Sequence, residues 1–274
     1  LDFNGLSILE VSHRSADFVQ VMDEARENVK RILSVPEGYS VVYLQGGASL
    51  GFLIAAYNMA GKNKKAAYIN TGTWATNAIK EAKNAGVEVV EIASSEDQNF
   101  NYIPKDYSIP DDVDYVHFTS NNTIYGTQFH EFPKTEKPLV CDMSSDIFSR
   151  PFDVSKFDLI YAGAQKNLGP AGATLYIIKD SILGKSSLNI PTYLDLSIHV
   201  KKDSMFNTPP VFSVYVANLN LKHMMKEGGI EYQAKKNKEK ARLLYEEIDS
   251  NPLFAGTTAV EDRSEMNVTF LLTD

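Results

Sequence analysis

The chemistry that this sequence can support centres on one lysine, Lys166, within the small-residue run Ala162–Gly172. An apolar run precedes it at Phe157–Tyr161 and strand-forming residues follow at Ala173–Ile178, which predicts a tight turn between two core strands. A lysine amine whose pKa is lowered by burial can attack a carbonyl and form a Schiff base. A lone lysine on a turn is more commonly an exposed surface charge. Whether Lys166 is catalytic therefore depends on the residues predicted to lie near it.

A second feature is Gly46-Gly47-Ala48-Ser49, which joins a predicted strand at Ser40–Leu44 to a predicted helix at Leu50–Met59. Glycines let the backbone approach a ligand closely, and the free N–H groups and dipole of a helix N-terminus favour a phosphate. The run matches neither a Walker A loop nor a dinucleotide-binding motif. Turns of this kind are common, so the signal is weak by itself.

Three further polar or aromatic residues follow predicted strands. Asp142 ends the strand Leu139–Asp142, where its carboxylate can keep a heterocyclic nitrogen protonated or, equally well, cap a helix. Trp74 can stack on a flat ligand, although a core position is commoner for tryptophan. Thr123 can donate a hydrogen bond to a ligand or stabilise its own turn.

These features share one location, because the carboxyl ends of parallel strands meet at one edge of a sheet, where open α/β folds bind ligands. A phosphate cradle, a stacking ring, a hydroxyl, a carboxylate and an amine-bearing lysine are the groups that pyridoxal phosphate requires. Together they predict a site for that cofactor, whereas each one alone does not.

Longer motifs resemble the class V family of pyridoxal-phosphate-dependent aminotransferases, which have the type I fold. The resemblance extends from Glu10 to Asn267. It rests on His13-Arg14, Gly46-Gly47-Ala48-Ser49, Asn122-Thr123-Ile124-Tyr125-Gly126, Asp142-Met143-Ser144-Ser145-Asp146, Gly163-Ala164-Gln165-Lys166-Asn167 and Phe206-Asn207-Thr208-Pro209-Pro210.

The resemblance implies catalytic roles for two residues, Lys166 as the Schiff-base lysine and Asp142 as the partner of the pyridinium nitrogen. It also implies that Trp74 stacks on the cofactor ring and that Thr123 contacts the O3′ oxygen. The implied phosphate-binding residues are Ala48, Ser49 and Gln165, together with Asn207 and Thr208 from the neighbouring subunit of a homodimer. The implied substrate-binding residues, also acting across the dimer, are His13 and Arg14.

Within the family, the chain resembles the members that transfer an amino group between L-glutamate and 3-phosphohydroxypyruvate. This implies formation of O-phospho-L-serine and 2-oxoglutarate in serine biosynthesis, with pyridoxine biosynthesis as an additional role. One alternative is another class V enzyme, such as an alanine–glyoxylate aminotransferase or a cysteine desulfurase. A desulfurase needs a cysteine on a mobile loop, whereas Cys141 lies in an apolar strand. Another is a non-catalytic protein that binds phosphorylated metabolites on the same scaffold.

The composition is typical of a globular cytoplasmic protein. The 274 residues are 43% hydrophobic and carry a net charge of −8 without a long basic run, which argues against nucleic acid and anionic membranes as partners. No apolar stretch approaches the roughly 18 residues of a membrane helix. The single cysteine can form no internal disulfide, as suits a reducing compartment. We predict no metal site.

Strands alternating with helices predict an α/β fold with a mostly parallel, mixed sheet between helices. Asp17 is predicted to cap a first helix that ends near Leu33. We assign residues 1–235 to a large cofactor-binding domain and residues 236–274 to the start of a smaller C-terminal α+β domain. The strand-like run Met266–Asp274 has no partner after it, so we expect the chain to be part of a longer protein. The resemblance implies further substrate-binding groups in the rest of that domain.

Overall fold

The computed structural model describes residue 3 and residues 5–273. Leu1 and Asp274, the outer limits of the two predicted domains, lie outside these described residues. The helices are α1 (Ala16–Leu33), α2 (Ala48–Met59), α3 (Thr73–Asn84), α4 (Leu196–Lys201), α5 (Val211–Lys226) and α6 (Gly229–Ser250). The strands are β1 (Tyr39–Gln45), β2 (Lys65–Asn70), β3 (Glu88–Ser94), β4 (Tyr115–Thr119), β5 (Asn121–Asn122), β6 (Thr127–Gln128), β7 (Leu139–Asp142), β8 (Leu159–Gly163), β9 (Ala173–Lys179), β10 (Phe254–Gly256) and β11 (Phe270–Leu272).

A seven-stranded sheet in the order β1-β9-β8-β7-β4-β2-β3 forms the centre of the fold. Strand β9 pairs antiparallel with both of its neighbours, and the other adjacent pairs are parallel. The antiparallel step follows from the short connection between β8 and β9, because a parallel pair needs a crossover of a dozen or more residues. The predicted mostly parallel, mixed sheet is confirmed, and Lys166 lies on this short connection.

Apolar side chains cover both faces of the sheet. Helices α1 and α5 pack in the cluster on one face, while α2 and α3 pack in the cluster on the other. Five apolar residues at helical spacing form the buried stripe of α1: Phe18, Met22, Ala25, Val29 and Ile32. Two covered faces explain why the central strands are continuously apolar rather than alternating.

The predicted cap of α1 is wrong. Ser15 is the N-cap, and its hydroxyl accepts a hydrogen bond from the Phe18 N–H at 3.4 Å. Asp17 lies inside the first turn, where its charge still interacts favourably with the helix dipole. Both residue types cap helices well, so the local sequence alone did not distinguish them.

The C-terminal part of the described chain is helical over α5 and α6 and then extended. The run Met266–Asp274 contains β11, which pairs antiparallel with β10, a strand that precedes it and that the sequence pattern missed. The predicted boundary between residues 235 and 236 falls within α6, and the division into domains stays a prediction. Within the described residues, the helices lack the combination of length and apolarity needed to cross a membrane.

Candidate active site

Lys166 lies on the β8–β9 turn with its amine directed at two residues from other elements. Its Nζ atom is 3.4 Å from Thr123 Oγ1 and 5.1 Å from the centroid of the Trp74 ring. The residue as a whole is exposed, but its amine is partly desolvated, and this lowers the pKa of Lys166 against the opposing charges of Asp142 and Asp146. A lowered pKa makes the neutral, nucleophilic amine more available.

Thr123 and Trp74 are themselves joined. Thr123 lies on the short hairpin of β5 and β6, and Trp74 lies in the first turn of α3. The indole Nε1–H donates to Thr123 Oγ1 at 3.1 Å. One hydroxyl therefore connects the ring and the lysine, which come from two different strand ends. The predicted convergence of these three side chains is observed.

Asp142 ends β7 and is 3% exposed. Its Oδ1 atom accepts hydrogen bonds from the Ser144 N–H at 2.9 Å and the Ser144 hydroxyl at 2.5 Å. Burial raises the pKa of this carboxyl group, while the Ser144 hydrogen bonds and the Lys166 charge lower it. Its Oδ2 atom forms no hydrogen bond to the residues that the structure describes, which leaves it able to accept one from a protonated ring nitrogen.

The glycine-rich turn forms a cradle at the start of α2. The N-cap Gly47 has no side chain to satisfy the helix, and the Ala48 and Ser49 N–H groups form no hydrogen bond within the described chain. The Gly46 N–H donates to the Gly172 carbonyl at 3.1 Å, which holds the cradle beside the Lys166 turn. Free N–H groups at a helix N-terminus suit a phosphate.

Gln165 closes the cradle from the side of the lysine. A Cβ built on Gly163 would lie 2.7 Å from Gln165 Oε1 and 3.2 Å from the Ala48 backbone nitrogen. The Gln165 amide and the first N–H of α2 therefore border the same small space, which only a glycine at position 163 leaves open. The site thus offers a cradle for the phosphate of pyridoxal phosphate and a ring, a hydroxyl and a carboxylate for its pyridine ring. The last three groups belong to Trp74, Thr123 and Asp142.

The four residues predicted to act across a dimer lie elsewhere on the chain. His13 is partly exposed and Arg14 exposed, just before α1. Asn207 and Thr208 are exposed on the connection between α4 and α5, where the Gln45 amide donates to the Thr208 carbonyl. Within the described residues, their side chains form no hydrogen bond to Lys166, Thr123 or Trp74, which we call the Lys166 group. Their assignment to a neighbouring subunit stays a prediction.

A second buried carboxylate, Asp146, was given no role by the sequence reasoning. It accepts hydrogen bonds from the Ser120 hydroxyl and from Gln128 Nε2, the latter at 3.2 Å. Burial raises its pKa. These bonds tie the hairpin that carries Thr123 to the loop after Asp142. The only signal in the sequence was that both aspartates belong to one short motif.

An aromatic layer lies beside Asp142 and was also missed. His117 on β4 stacks between Tyr68 and Tyr161, and its Nε2 atom is 2.8 Å from the Tyr161 hydroxyl. Burial lowers the pKa of His117 to about 3, so the ring is neutral at physiological pH. Tyr161 is the register partner of Asp142 on the neighbouring strand. The layer therefore reaches the strand that lies next to Asp142.

Comparison with known proteins supports the same interpretation. The sequence model of the family "Aminotransferase class-V" matches residues 1–274. The chain is similar to the phosphoserine aminotransferase of Flavobacterium johnsoniae, with 61% identity covering 99% of this chain and 77% of that protein. Among solved structures, phosphoserine aminotransferase from Bacillus circulans subsp. alkalophilus has a TM-score of 0.95 and 42% identity over 100% of this chain and 76% of that one. The pyridoxal-phosphate-bound enzyme of Trichomonas vaginalis has a TM-score of 0.93 and 37% identity over 98% and 76%.

Proposed function

The chain belongs to the class V aminotransferase family, and we propose on that premise that it transfers an amino group between L-glutamate and 3-phosphohydroxypyruvate. The products are 2-oxoglutarate and O-phospho-L-serine, and the cofactor is pyridoxal phosphate. The observation that carries the proposal is the Lys166 amine, held 3.4 Å from the Thr123 hydroxyl and over the Trp74 ring. A lysine in this setting is the group that binds the cofactor covalently.

The geometry described above supports each cofactor-binding role that we propose. Bound pyridoxal phosphate supplies the electron sink that stabilises negative charge on the substrate Cα. The Ala48 and Ser49 N–H groups and the Gln165 amide would bind its phosphate, and Thr123 would contact O3′. Trp74 would stack on the ring. Asp142 keeps the ring nitrogen protonated, because a buried carboxylate stabilises an adjacent cation.

Lys166 is also the residue that moves protons. Once its amine is free of the cofactor, it would carry the proton from the substrate Cα to the C4′ position of the cofactor. In the reverse half of the cycle it would carry a proton from C4′ to the Cα of the new amino acid. The lowered pKa of Lys166 suits this work, since an amine with the usual pKa would be almost entirely protonated at neutral pH.

We assign recognition of the substrate phosphate to His13 and Arg14 acting across a homodimer, with Asn207 and Thr208 reaching the cofactor phosphate of the neighbouring site. Support comes from the exposure of both segments and from their having no hydrogen bond to the Lys166 group within the described chain. A guanidinium suits a phosphate because it donates two parallel hydrogen bonds. We place the enzyme in the cytoplasm, in serine biosynthesis, with a further role in pyridoxine biosynthesis.

The alternatives make different chemical demands. A cysteine desulfurase needs an accessible thiolate, but Cys141 is buried in β7, and burial raises the pKa of its thiol. A non-catalytic binding protein needs no desolvated lysine amine beside a stacking ring. An alanine–glyoxylate aminotransferase would share the Lys166 group, and only its choice of amino acceptor would distinguish it.

The test measures amino transfer from L-glutamate to 3-phosphohydroxypyruvate, pyruvate and glyoxylate with the full-length protein. We expect 3-phosphohydroxypyruvate to be strongly preferred. Lys166→Ala should abolish turnover, the visible absorption of the bound cofactor and the protein-linked adduct formed on borohydride reduction. Lys62→Ala, which changes an exposed lysine, should retain all three. Preference for glyoxylate, or an adduct in the Lys166 variant, would contradict the proposal.

A further inference from the structure

The hairpin that carries Thr123 is held by a segment near the end of the described chain, Ser264–Asn267, which we name the clasp. The Ser264 N–H donates to the Gly126 carbonyl at 2.7 Å. The Glu265 N–H donates to Gln128 Oε1 at 2.9 Å. Strands β5 and β6 have two residues each, and so short a hairpin is not stable alone. Its position therefore depends on groups outside it.

Asn267 in the clasp reaches the backbone of Thr123 itself. Its Nδ2 atom donates to the Thr123 carbonyl at 3.0 Å. Its Oδ1 atom accepts from Asn121 Nδ2 at 2.8 Å. The Ser264 hydroxyl lies 3.2 Å from the same oxygen but donates its single proton to Asn121 Oδ1, which is closer. The Asn267 amide faces an acceptor on one side and a donor on the other, so only this orientation satisfies both ends.

We propose that Asn267 is a positioning residue for amino transfer, because it holds Thr123 where its hydroxyl meets both Trp74 and Lys166. Two hydrogen bonds connect Asn267 to Trp74: the Asn267 amide donates to the Thr123 carbonyl, and Trp74 Nε1–H donates to the Thr123 hydroxyl. The same hydroxyl lies beside Lys166 Nζ. Its effect on turnover rests on the proposed function. Its effect on the position of Trp74 does not.

Removing this one contact should shift Thr123 without unfolding the hairpin. Asn121 keeps the Ser145 hydroxyl as a partner at 2.9 Å, and Asn122 keeps the Thr71 hydroxyl at 2.9 Å. The backbone bonds of Ser264 and Glu265 also remain. What is lost is the hydrogen bond to the Thr123 carbonyl, so the change is expected to be local.

The informative variant is Asn267→Asp, which keeps the acceptor for Asn121 but turns the donor facing the Thr123 carbonyl into a repelling oxygen. Asn267→Ala removes both bonds, and Asn84→Asp is the control, since that amide is exposed at the end of α3. Trp74 is the only tryptophan among these 274 residues. The difference in quenching of intrinsic fluorescence between a variant and the unaltered protein, both free of cofactor, therefore reports on the Thr123 contact. We expect acrylamide to quench Trp74 more strongly in both Asn267 variants than in the unaltered protein. Quenching in Asn84→Asp should equal that of the unaltered protein.

Activity gives the second measurement. We expect kcat to fall about tenfold in Asn267→Asp, as for misplacement of one hydrogen-bonded group, with the KM for 3-phosphohydroxypyruvate nearly unchanged. In a Thr123→Ala background, Asn267→Asp should cause no additional quenching, because the link through the hydroxyl is already broken. A purely structural role would lower Tm without this dependence on Thr123.

Unchanged Trp74 quenching in Asn267→Asp, or equal added quenching in the Thr123→Ala background, would overturn the proposal. If the unaltered enzyme shows no amino transfer, the proposed function fails, yet the quenching experiment still decides the role of Asn267. The isosteric aspartate also keeps the test valid if Asn267→Ala does not fold.

Discussion

At the scale of single residues, the balance of forces on Asp142 decides whether the site can work. Burial raises its pKa and would favour the neutral acid, which cannot hold a ring nitrogen protonated. The two hydrogen bonds from Ser144 oppose this by stabilising the charged form. Ser144 also accepts a hydrogen bond from the Gly163 N–H at 3.0 Å, just before the Lys166 turn. One serine therefore joins the carboxylate to the strand that presents the lysine.

Ser144→Ala should consequently change the pH dependence of the reaction. Without the hydroxyl the pKa of Asp142 rises, so the carboxylate is protonated at a higher pH and activity is lost earlier on acidification. We expect the acid limb of the kcat profile to shift to higher pH, with a smaller difference at alkaline pH. The measurement is kcat between pH 5 and pH 9 for both proteins.

Ser155 offers a matched control for this experiment. Its N–H and hydroxyl bond Asp153 in the same way, at 2.9 and 2.6 Å, but at an exposed turn away from the Lys166 group. Ser155→Ala should leave the kcat profile unchanged. An unshifted acid limb in Ser144→Ala would show that the ionisation of Asp142 does not control the reaction.

At the scale of the elements, α3 depends on an unusual glycine at its start. Gly72 has φ +146° and precedes the turn that carries Trp74. An added Cβ would lie 2.8 Å from the Tyr125 ring and 3.1 Å from Asn122 Oδ1. Tyr125 and Asn122 belong to the same hairpin region as Thr123. The close approach of α3 to the hairpin, which joins Trp74 to Thr123, therefore requires glycine.

Gly72→Ala and Gly86→Ala separate backbone strain from this close approach, because Gly86 follows the other end of α3 with φ +87° and open space around its Cβ position. We expect Gly86→Ala to lower the free energy of unfolding by about 1–2 kcal/mol, from strain alone. Gly72→Ala adds a larger strain, because glycine almost alone adopts its φ of 146° and ψ of −173°. It also adds an overpacking cost of about 1–3 kcal/mol and should weaken cofactor binding. Denaturant unfolding and titration with pyridoxal phosphate measure both effects.

Equal losses of stability in the two variants, with unchanged cofactor affinity, would contradict this assignment. They would mean that the hairpin moves to accommodate the new methyl group. The close approach of Gly72 to the hairpin would then not determine where Trp74 lies.

At the scale of the whole molecule, the exposed segments His13-Arg14 and Asn207-Thr208 lead to a prediction about assembly. In the homodimer that we propose, Lys166→Ala and Arg14→Ala should each leave the full-length protein nearly inactive. Refolding them together should restore activity, because in a mixed dimer one site receives both native residues and the other lacks both. Random pairing makes half of the dimers mixed, so recovery should approach about a quarter of the native activity.

Mass measurement of the refolded sample confirms that mixed dimers form, and refolding each variant alone is the control. Absence of recovery in a sample that contains mixed dimers would assign Arg14 to the site of its own subunit.

Much of this protein could be predicted from local pattern. The apolar run Leu139–Asp142 was predicted as a strand with the observed limits, because its composition and length are typical of buried strands. Placing Lys166, Asp142 and the glycine turn at strand ends was enough to gather them at one edge, since parallel strands end together. The cofactor-binding character of the site was thus determined by the sequence alone.

The tertiary structure alone decided how those groups are held. That one hydroxyl on Thr123 meets both Trp74 and Lys166 depends on packing between α3, the hairpin and the β8–β9 turn. Asn267 lies more than a hundred residues from the carbonyl that it bonds. Periodicity and motif spacing describe neighbours along the chain, whereas hydrogen bonds between distant segments depend on the distances that folding sets. The choice of Ser15 over Asp17 as cap was likewise made by the folded geometry, because both side chains can accept the same bond.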